Sequence, residues 1–230
     1  MTGRVAIVSG GTGALGQSVT LRLLAAGAIV CVPYAVPAEL AALDRRVDAA
    51  ARPRLHSAPT DVTDEAAFSA FVRGVLDAHG RLDAIVNGVG GFAGGDLAST
   101  PLAEWQRMMT LNLTSAVVGC RAALAPMTAA GHGRIVNIAS RAVAPPLGGF
   151  IAYTVAKAGV ITLTQALARE VARGITVNAV LPSTMDTPGN RQAMPDADRS
   201  TWVSTEAVAE VIAYLASEGS GMVSGAAIPV

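Results

Sequence analysis

Short apolar runs alternate with helical patterns along almost the whole chain, and this alternation limits the possible fold more than any other feature. The first run, residues 4–9, ends in glycines and is followed by a helical pattern that continues to residue 26. Runs that are apolar throughout are typical of strands buried on both faces. Strands that alternate with helices predict a parallel sheet with helices packed on it. We therefore expect an α/β fold, a Rossmann-like doubly wound parallel sheet of about seven strands flanked by helices on both faces.

The remaining elements are predicted in the same alternating order. Strands are predicted at 28–32, 54–58, 82–87, 134–139, 175–181 and 226–230. Helices are predicted at 38–50, 64–79, 102–109, 113–130, 151–173 and 206–217, with an irregular segment from 182 to 204. No Pro/Ser-rich linker or block of charge divides the 230 residues, so we expect a single domain over residues 1–230.

The composition argues against several classes of protein. The formal net charge is zero and charged residues make up 15% of the chain, so we expect no nucleic-acid partner. The longest uncharged apolar stretch, residues 23–38, is interrupted by a glycine and two prolines and is too short to span a bilayer. The N-terminus lacks the pattern of a signal peptide. We expect a cytoplasmic protein with no membrane partner, with its two cysteines packed as free thiols, and with no metal site.

A glycine-rich stretch, SGGTGALG at residues 9–16, lies between the first predicted strand and the first predicted helix. Glycines at this place let the backbone turn tightly and approach a ligand, and the helix N-terminus offers unpaired N–H groups to a pyrophosphate. A plain glycine-rich turn would have the same sequence. Asp61, Asn87, Ser140 and Pro182 follow other predicted strands, so they are expected at the same edge of the sheet, where ligands bind in such folds.

Tyr153 and Lys157 lie four residues apart in a predicted helix and therefore share one face of it. Lys157 is the only lysine among 17 basic residues. A fixed ammonium beside a phenol favours the phenolate, and a shift of about three pKa units corresponds to roughly 4 kcal/mol. The spacing therefore predicts a pair for proton transfer. The alternative is a solvated lysine beside a tyrosine that only packs.

These features together resemble the short-chain dehydrogenase/reductase family over essentially the whole chain. The glycine-rich stretch is similar to the family's Thr-Gly-x-x-x-Gly-x-Gly, with Ser9 in place of the threonine and Ala14 in place of the middle glycine. The family's catalytic tetrad is matched in order by Asn112, Ser140, Tyr153 and Lys157. The resemblance implies an NAD(P)-dependent enzyme that interconverts a carbonyl and an alcohol on a small molecule, or reduces a related C=N bond.

The same resemblance implies a role for each member of the tetrad. Tyr153 would give a proton to the carbonyl oxygen in reduction and take one from the alcohol in oxidation. Lys157 would lower the pKa of Tyr153 and hold the nicotinamide ribose. Ser140 would bind the substrate oxygen, and Asn112 would anchor a water in a proton relay.

The resemblance also assigns residues that would hold NAD or NADP. Asp61 matches an aspartate that contacts adenine, although it could also cap the next helix. An acidic residue after the second strand would favour NAD and an arginine would favour NADP. Tyr34 at this place is neither acidic nor basic, so the sequence does not decide between NAD and NADP. The implied cofactor-binding residues are Gly10, Thr12, Ala14, Leu15, Gly16, Tyr34, Asp61, Val62, Asn87, Gly88, Tyr153, Lys157, Pro182 and Thr187.

Residues 185–202 resemble the dihydropteridine reductase branch of the family in particular, as do residues 11–16 and 91–95. Residues 187–204 are predicted to form a mobile lid over a substrate pocket. Its predicted walls are Phe92, Val143, Leu147, Phe150, Met185, Met194 and Trp202. The alternatives are a quinonoid dihydropteridine reductase-like enzyme, a reductase of carrier-bound acyl chains, and a non-catalytic NAD(P)-binding sensor or scaffold. The resemblance also implies a homo-oligomer, either a tetramer or a dimer.

Overall fold

The computed structural model describes residues 1–230 and contains a central sheet with helices on both sides. The strands are β1 (Val5–Ser9), β2 (Ile29–Tyr34), β3 (Leu55–Pro59), β4 (Ala84–Asn87), β5 (Gly133–Ile138), β6 (Ile175–Leu181), β7 (Met185–Asp186), β8 (Val203–Ser204) and β9 (Ala227–Pro229). The helices are α1 (Ala14–Ala25), α2 (Pro37–Asp44), α3 (Glu65–His79), α4 (Leu102–Met109), α5 (Ser115–Ala130), α6 (Ile151–Glu170), α7 (Pro188–Ala193) and α8 (Thr205–Leu215).

Seven strands form one parallel sheet in the order β3-β2-β1-β4-β5-β6-β9, which confirms the predicted fold class and strand number. The direction of winding reverses between β1 and β4, where β1 has β2 on one side and β4 on the other. Loops that leave two neighbouring strands at such a reversal diverge to opposite faces and leave a crevice between them. The carboxyl ends of β1 and β4 therefore mark the expected binding cleft.

Both faces of the sheet are covered, because successive residues of each strand point to opposite sides. In β1, Ala6 and Val8 pack with α1 and α8 in one apolar cluster. Val5 and Ile7 pack with α3, α5 and α6 in a second cluster. This arrangement explains why the central strands β1 and β4 consist mainly of apolar residues rather than alternating with polar ones. Both cysteines are buried free thiols, as predicted, and burial raises the pKa of each to about 12.

The largest differences from the predicted helices are in α2 and at the junction of α4 and α5. Helix α2 ends at Asp44 rather than at residue 50; Leu43 is its one buried residue, and Val47 reaches the first apolar cluster from the turn that follows. Helices α4 and α5 are joined by a five-residue π-helical turn, Thr110–Thr114, so residues 102–130 form one continuous helical stretch. A π turn inside an α-helix often occurs at a functional site, and this one contains Asn112.

The segment predicted to be irregular is more ordered than expected. Strands β7 and β8 pair in parallel, with Met185 opposite Val203 and Asp186 opposite Ser204, and α7 lies between them. Thr187 caps α7 through a hydrogen bond from the Asn190 N–H, 3.2 Å long. The proposed lid, residues 187–204, is therefore a loop whose two ends are held together at its base.

Two helical stretches are long and apolar enough to cross a membrane by length and composition alone, residues 102–130 and 151–170. Neither stretch was predicted from the sequence as a possible membrane span, because each contains charged residues. Each contributes residues to the apolar clusters on the sheet, Met127 from the first and Leu167 from the second. Core helices pass the same test, so the finding is a weak indication of a membrane span.

Candidate active site

The glycine-rich turn after β1 is shaped by two glycines that no larger residue could replace without movement. Gly10 has a φ of 72°, a left-handed conformation that side chains disfavour. A Cβ atom on Gly16 would lie 1.8 Å from the Gly10 carbonyl oxygen. The first turn of α1 is therefore packed directly against the loop. Gly13, the N-cap of α1, offers no side-chain acceptor to the helix N–H groups, which suits a bound pyrophosphate.

The loops after β1 and β4 touch at the point where the sheet reverses. A Cβ on Gly10 would lie 2.8 Å from the Gly88 carbonyl carbon, and the Gly88 N–H donates to the Ser9 carbonyl over 3.1 Å. Gly88 thus closes the floor of the cleft. The side chain of Asn87 instead turns inward, where its amide donates to Asn137 Oδ1 over 2.8 Å. Asn87 therefore bridges two strands rather than facing a ligand in the cleft.

Asp61 and Val62 follow β3 as predicted. The Asp61 carboxylate accepts hydrogen bonds from the N–H and the hydroxyl of Thr63, 2.8 and 2.7 Å long, and these bonds lower its pKa. The N-cap of α3 is Asp64, which accepts from the N–H groups of the helix's first turn, so the interpretation of Asp61 as the cap is wrong. Val62 is buried in the second apolar cluster.

Lys157 lies on α6, which packs against the helical stretch that contains Asn112. Its side chain is 5% exposed, and its ammonium donates to the Ile138 carbonyl at the end of β5 over 2.8 Å. Burial lowers the pKa of Lys157 to about 8. The alternative of a solvated lysine is therefore wrong, and a cation is held under the cleft at the carboxyl end of the sheet.

Tyr153 lies one turn before Lys157 and near Ser140, which follows β5. Burial raises the pKa of Tyr153, while the nearby Ser140 side chain lowers this pKa and is the smaller effect. The pKa of Tyr153 is therefore raised rather than lowered as expected, because burial of the phenol is the larger effect and the Lys157 ammonium donates to the Ile138 carbonyl.

Asn112 is fixed in the π turn by three hydrogen bonds. Its amide donates to the carbonyls of Gly91 and Met108, over 3.0 and 3.1 Å, and its Oδ1 accepts from the Gly91 N–H over 3.2 Å. A Cβ on Gly90 would lie 2.7 Å from Asn112 Oδ1 and 3.2 Å from Lys157 Nζ. Gly90 therefore lies between these two side chains, a role that the sequence analysis did not assign.

Three aromatic rings form one wall at the mouth of the cleft, and we call them the aromatic wall: Phe92, Phe150 and Tyr153. The Tyr153 ring centre lies 5.2 Å from that of Phe92 and 6.1 Å from that of Phe150, both in edge-on arrangements. Phe92 is 62% exposed. Of the other predicted wall residues, Met185 packs on the first apolar cluster of the core instead.

One acidic side chain reaches the glycine-rich turn from outside the predicted site. Glu39, in the first turn of α2, accepts a hydrogen bond from the Thr12 hydroxyl over 2.9 Å. Thr12 itself is buried in the turn. Glu39 is not among the predicted site residues, because the choice of cofactor was expected to depend on the end of β2. Its separation of 23 residues from Gly16 could have drawn attention to it.

Comparisons with known proteins place these features in one family. Residues 4–198 match the family model described as short chain dehydrogenase. The chain is 34% identical to (2S)-[(R)-hydroxy(phenyl)methyl]succinyl-CoA dehydrogenase subunit BbsD of Thauera aromatica, over 96% of this chain and 92% of the relative. It is 35% identical to a 3-alpha-(or 20-beta)-hydroxysteroid dehydrogenase of Mycobacterium tuberculosis, over 98% and 87%. The crystal structure of a variant actinorhodin polyketide ketoreductase with NADPH superimposes with a TM-score of 0.89 at 30% identity, over 99% of this chain and 95% of that one.

Proposed function

Since the chain belongs to the short-chain dehydrogenase family and is an oxidoreductase that uses NAD or NADP, we propose that it interconverts a ketone and a secondary alcohol on a small molecule. We propose that residues 1–230 form a single domain for this reaction. The observation that supports the proposal most strongly is the position of the Tyr153 phenol. It lies in the aromatic wall beside the Ser140 side chain and has a buried cation one helical turn away.

In the direction of reduction, Tyr153 acts as the general acid. Its raised pKa keeps the phenol protonated at neutral pH, so a proton is available for the carbonyl oxygen. The Ser140 hydroxyl holds the same oxygen. A nicotinamide held in the cleft would supply the hydride in reduction and accept it in oxidation. As the carbonyl double bond is lost, the oxygen gains the proton of Tyr153 and the carbon gains the hydride; oxidation is the reverse.

Lys157 and Asn112 support this proton transfer from beneath the cleft. Lys157, whose ammonium is held at the Ile138 carbonyl one helical turn from Tyr153, would offset part of the cost of the buried phenolate that remains after Tyr153 has given up its proton. A pKa of about 8 also lets Lys157 pass a proton on near neutral pH. Asn112, across Gly90 from Lys157, would hold a water for this relay.

The residues around the cleft fit a dinucleotide. The close contact between Gly16 and Gly10 leaves the N-terminus of α1 open to a pyrophosphate. The adenosine end would lie toward β2 and β3, and the nicotinamide end toward Tyr153 and Thr187. The residues proposed to hold the cofactor are Gly10, Thr12, Ala14, Leu15, Gly16, Tyr34, Asp61, Val62, Gly88, Tyr153, Lys157, Pro182 and Thr187, with Asn87 supporting the strand ends.

The aromatic wall favours an uncharged, ring-bearing substrate. The exposed ring of Phe92 beside the proposed acid offers a flat apolar surface, which suits a cyclic or aromatic ketone. Residues 187–204 would cover this substrate, since the β7–β8 pair holds the loop at its base. A cytoplasmic location stays a prediction from the composition, and assembly into a dimer or tetramer on α5 and α6 stays a prediction from the resemblance.

A substrate screen tests the proposed function. We expect purified protein to oxidise NADH or NADPH, followed at 340 nm, when neutral cyclic or aryl ketones are added, and to turn over charged acyl thioesters and quinonoid pterins more slowly. Tight cofactor binding without turnover of any ketone, alcohol, imine or pterin would instead support a non-catalytic sensor or scaffold.

A further inference from the structure

The choice between NAD and NADP can be inferred from the contact between α2 and the glycine-rich turn. The residue that selects NAD or NADP is expected at the end of the second strand, and this chain has Tyr34 there. The structure instead brings a carboxylate to the same region from the next helix. Glu39 is exposed, and its carboxylate oxygen lies 2.9 Å from the Thr12 hydroxyl.

The location of this carboxylate fits the chemistry of a ribose diol. In dinucleotide-binding folds the pyrophosphate lies at the first βα turn, and an acidic side chain about 20 residues later binds the hydroxyls of the adenosine ribose. Thr12 belongs to that turn, and its hydroxyl already donates to Glu39. A ribose hydroxyl approaching the turn would meet a carboxylate oxygen that accepts hydrogen bonds and donates none.

We propose that Glu39 binds the adenosine ribose hydroxyls and that the protein therefore prefers NAD(H) to NADP(H). This inference rests on the proposed function, because it requires a dinucleotide in the cleft. The 2′-phosphate of NADP would bring negative charge next to the carboxylate and would remove the hydroxyl donor that the carboxylate accepts from.

The surrounding cations do not offset this repulsion. The glycine-rich turn contains no basic residue. Arg46, after α2, donates to Gln17 Oε1 over 2.9 Å, and its guanidinium is also 3.9 Å from the Glu206 carboxylate. Arg46 is thus already shared between two partners on α1 and α8. It is the residue that would contact the 2′-phosphate if the protein preferred NADP(H) instead.

The test is a fluorescence titration of the purified full chain with NADH and with NADPH at one ionic strength. We expect wild-type protein to bind NADH at least about tenfold more tightly than NADPH. The variant Glu39→Gln should reduce this ratio to about threefold or less, because it removes the charge and keeps the shape. Glu170→Gln, at the far end of α6, removes an exposed carboxylate from the opposite edge of the sheet and should leave the ratio unchanged.

The other outcomes separate this inference from the proposed function. Equal binding of the two cofactors by wild-type protein, or an NADH preference that Glu39→Gln leaves unchanged, overturns the role of Glu39 while the enzyme assignment stands. In the first case, loss of NADPH affinity in Arg46→Ala would identify Arg46 as the phosphate's partner. No binding of either cofactor at millimolar concentration would overturn the proposed function itself.

Discussion

Replacing Tyr153 by Phe is expected to lower kcat about 10²- to 10⁴-fold, the range typical of losing a general acid. Phenylalanine keeps the ring that contacts Phe92 and Phe150, so the aromatic wall stays intact. It removes the hydroxyl that is proposed to give a proton to the substrate oxygen. Cofactor affinity should change less than about threefold, because the α1 turn and the adenosine side are untouched. Steady-state kinetics and NADH titration of the variant measure both quantities.

Tyr214→Phe is the matched control for this variant. Tyr214 is exposed on α8, and its hydroxyl donates only to the Gly219 carbonyl over 3.4 Å. Its loss should leave kcat and cofactor affinity at wild-type values. Turnover by Tyr153→Phe within about threefold of wild type would contradict the assigned role and would favour Ser140 or a bound water as the acid.

Replacing Lys157 by Met is expected to make the free energy of unfolding vary less with pH in the alkaline range. It is also expected to reduce turnover strongly. Burial lowers the pKa of Lys157 from 10.5 to about 8. Below pH 8 the folded wild-type protein carries the full cost of a buried charge. Between pH 8 and 10.5 the folded protein releases the proton while the unfolded chain keeps it, so wild-type stability rises relative to the variant. Between pH 7 and pH 10 the difference in unfolding free energy between the two proteins should change by about 2 to 3 kcal/mol in favour of wild type.

Urea unfolding of wild type and variant at several pH values measures this difference. Thr154→Val is a matched control, because Thr154 is a buried neighbour on α6 that also donates to a backbone carbonyl, that of Leu147. Its effect on stability should be the same at every pH, since threonine does not titrate in this range. A constant difference for Lys157→Met would show that Lys157 is not held as a buried charge.

Much of the fold could be predicted because burial dictates it. Strands buried on both faces are mainly apolar, and runs such as residues 5–9 and 175–181 have this pattern. Boundaries that depend on tertiary packing were predicted less accurately. Helix α2 ends six residues before the predicted boundary, and β7 and β8 have two residues each, too few to show a periodic pattern.

The site was predicted in part, for a similar reason. The spacing of Tyr153 and Lys157 on one helix is a local property, so the sequence contains it. The Glu39 contact with Thr12 and the position of Gly90 between Asn112 and Lys157 join distant parts of the chain. Whether the pKa of Tyr153 is raised or lowered depends on how deeply the phenol is buried, and burial cannot be read from the sequence. The likeness to dihydropteridine reductases stays a prediction.

The most direct test of the central claim is a titration of the Tyr153 phenol itself, followed as tyrosinate absorbance near 295 nm. Subtracting the curve of Tyr153→Phe from that of wild type isolates this one group. In the free protein we expect the pKa of Tyr153 above its ordinary value of 10, because the ring is buried. Saturating NAD⁺ should lower it, because a cationic nicotinamide beside the phenol adds to the effect of Lys157. A Tyr153 pKa that does not move when NAD⁺ binds would contradict the claim that this phenol exchanges the proton in catalysis.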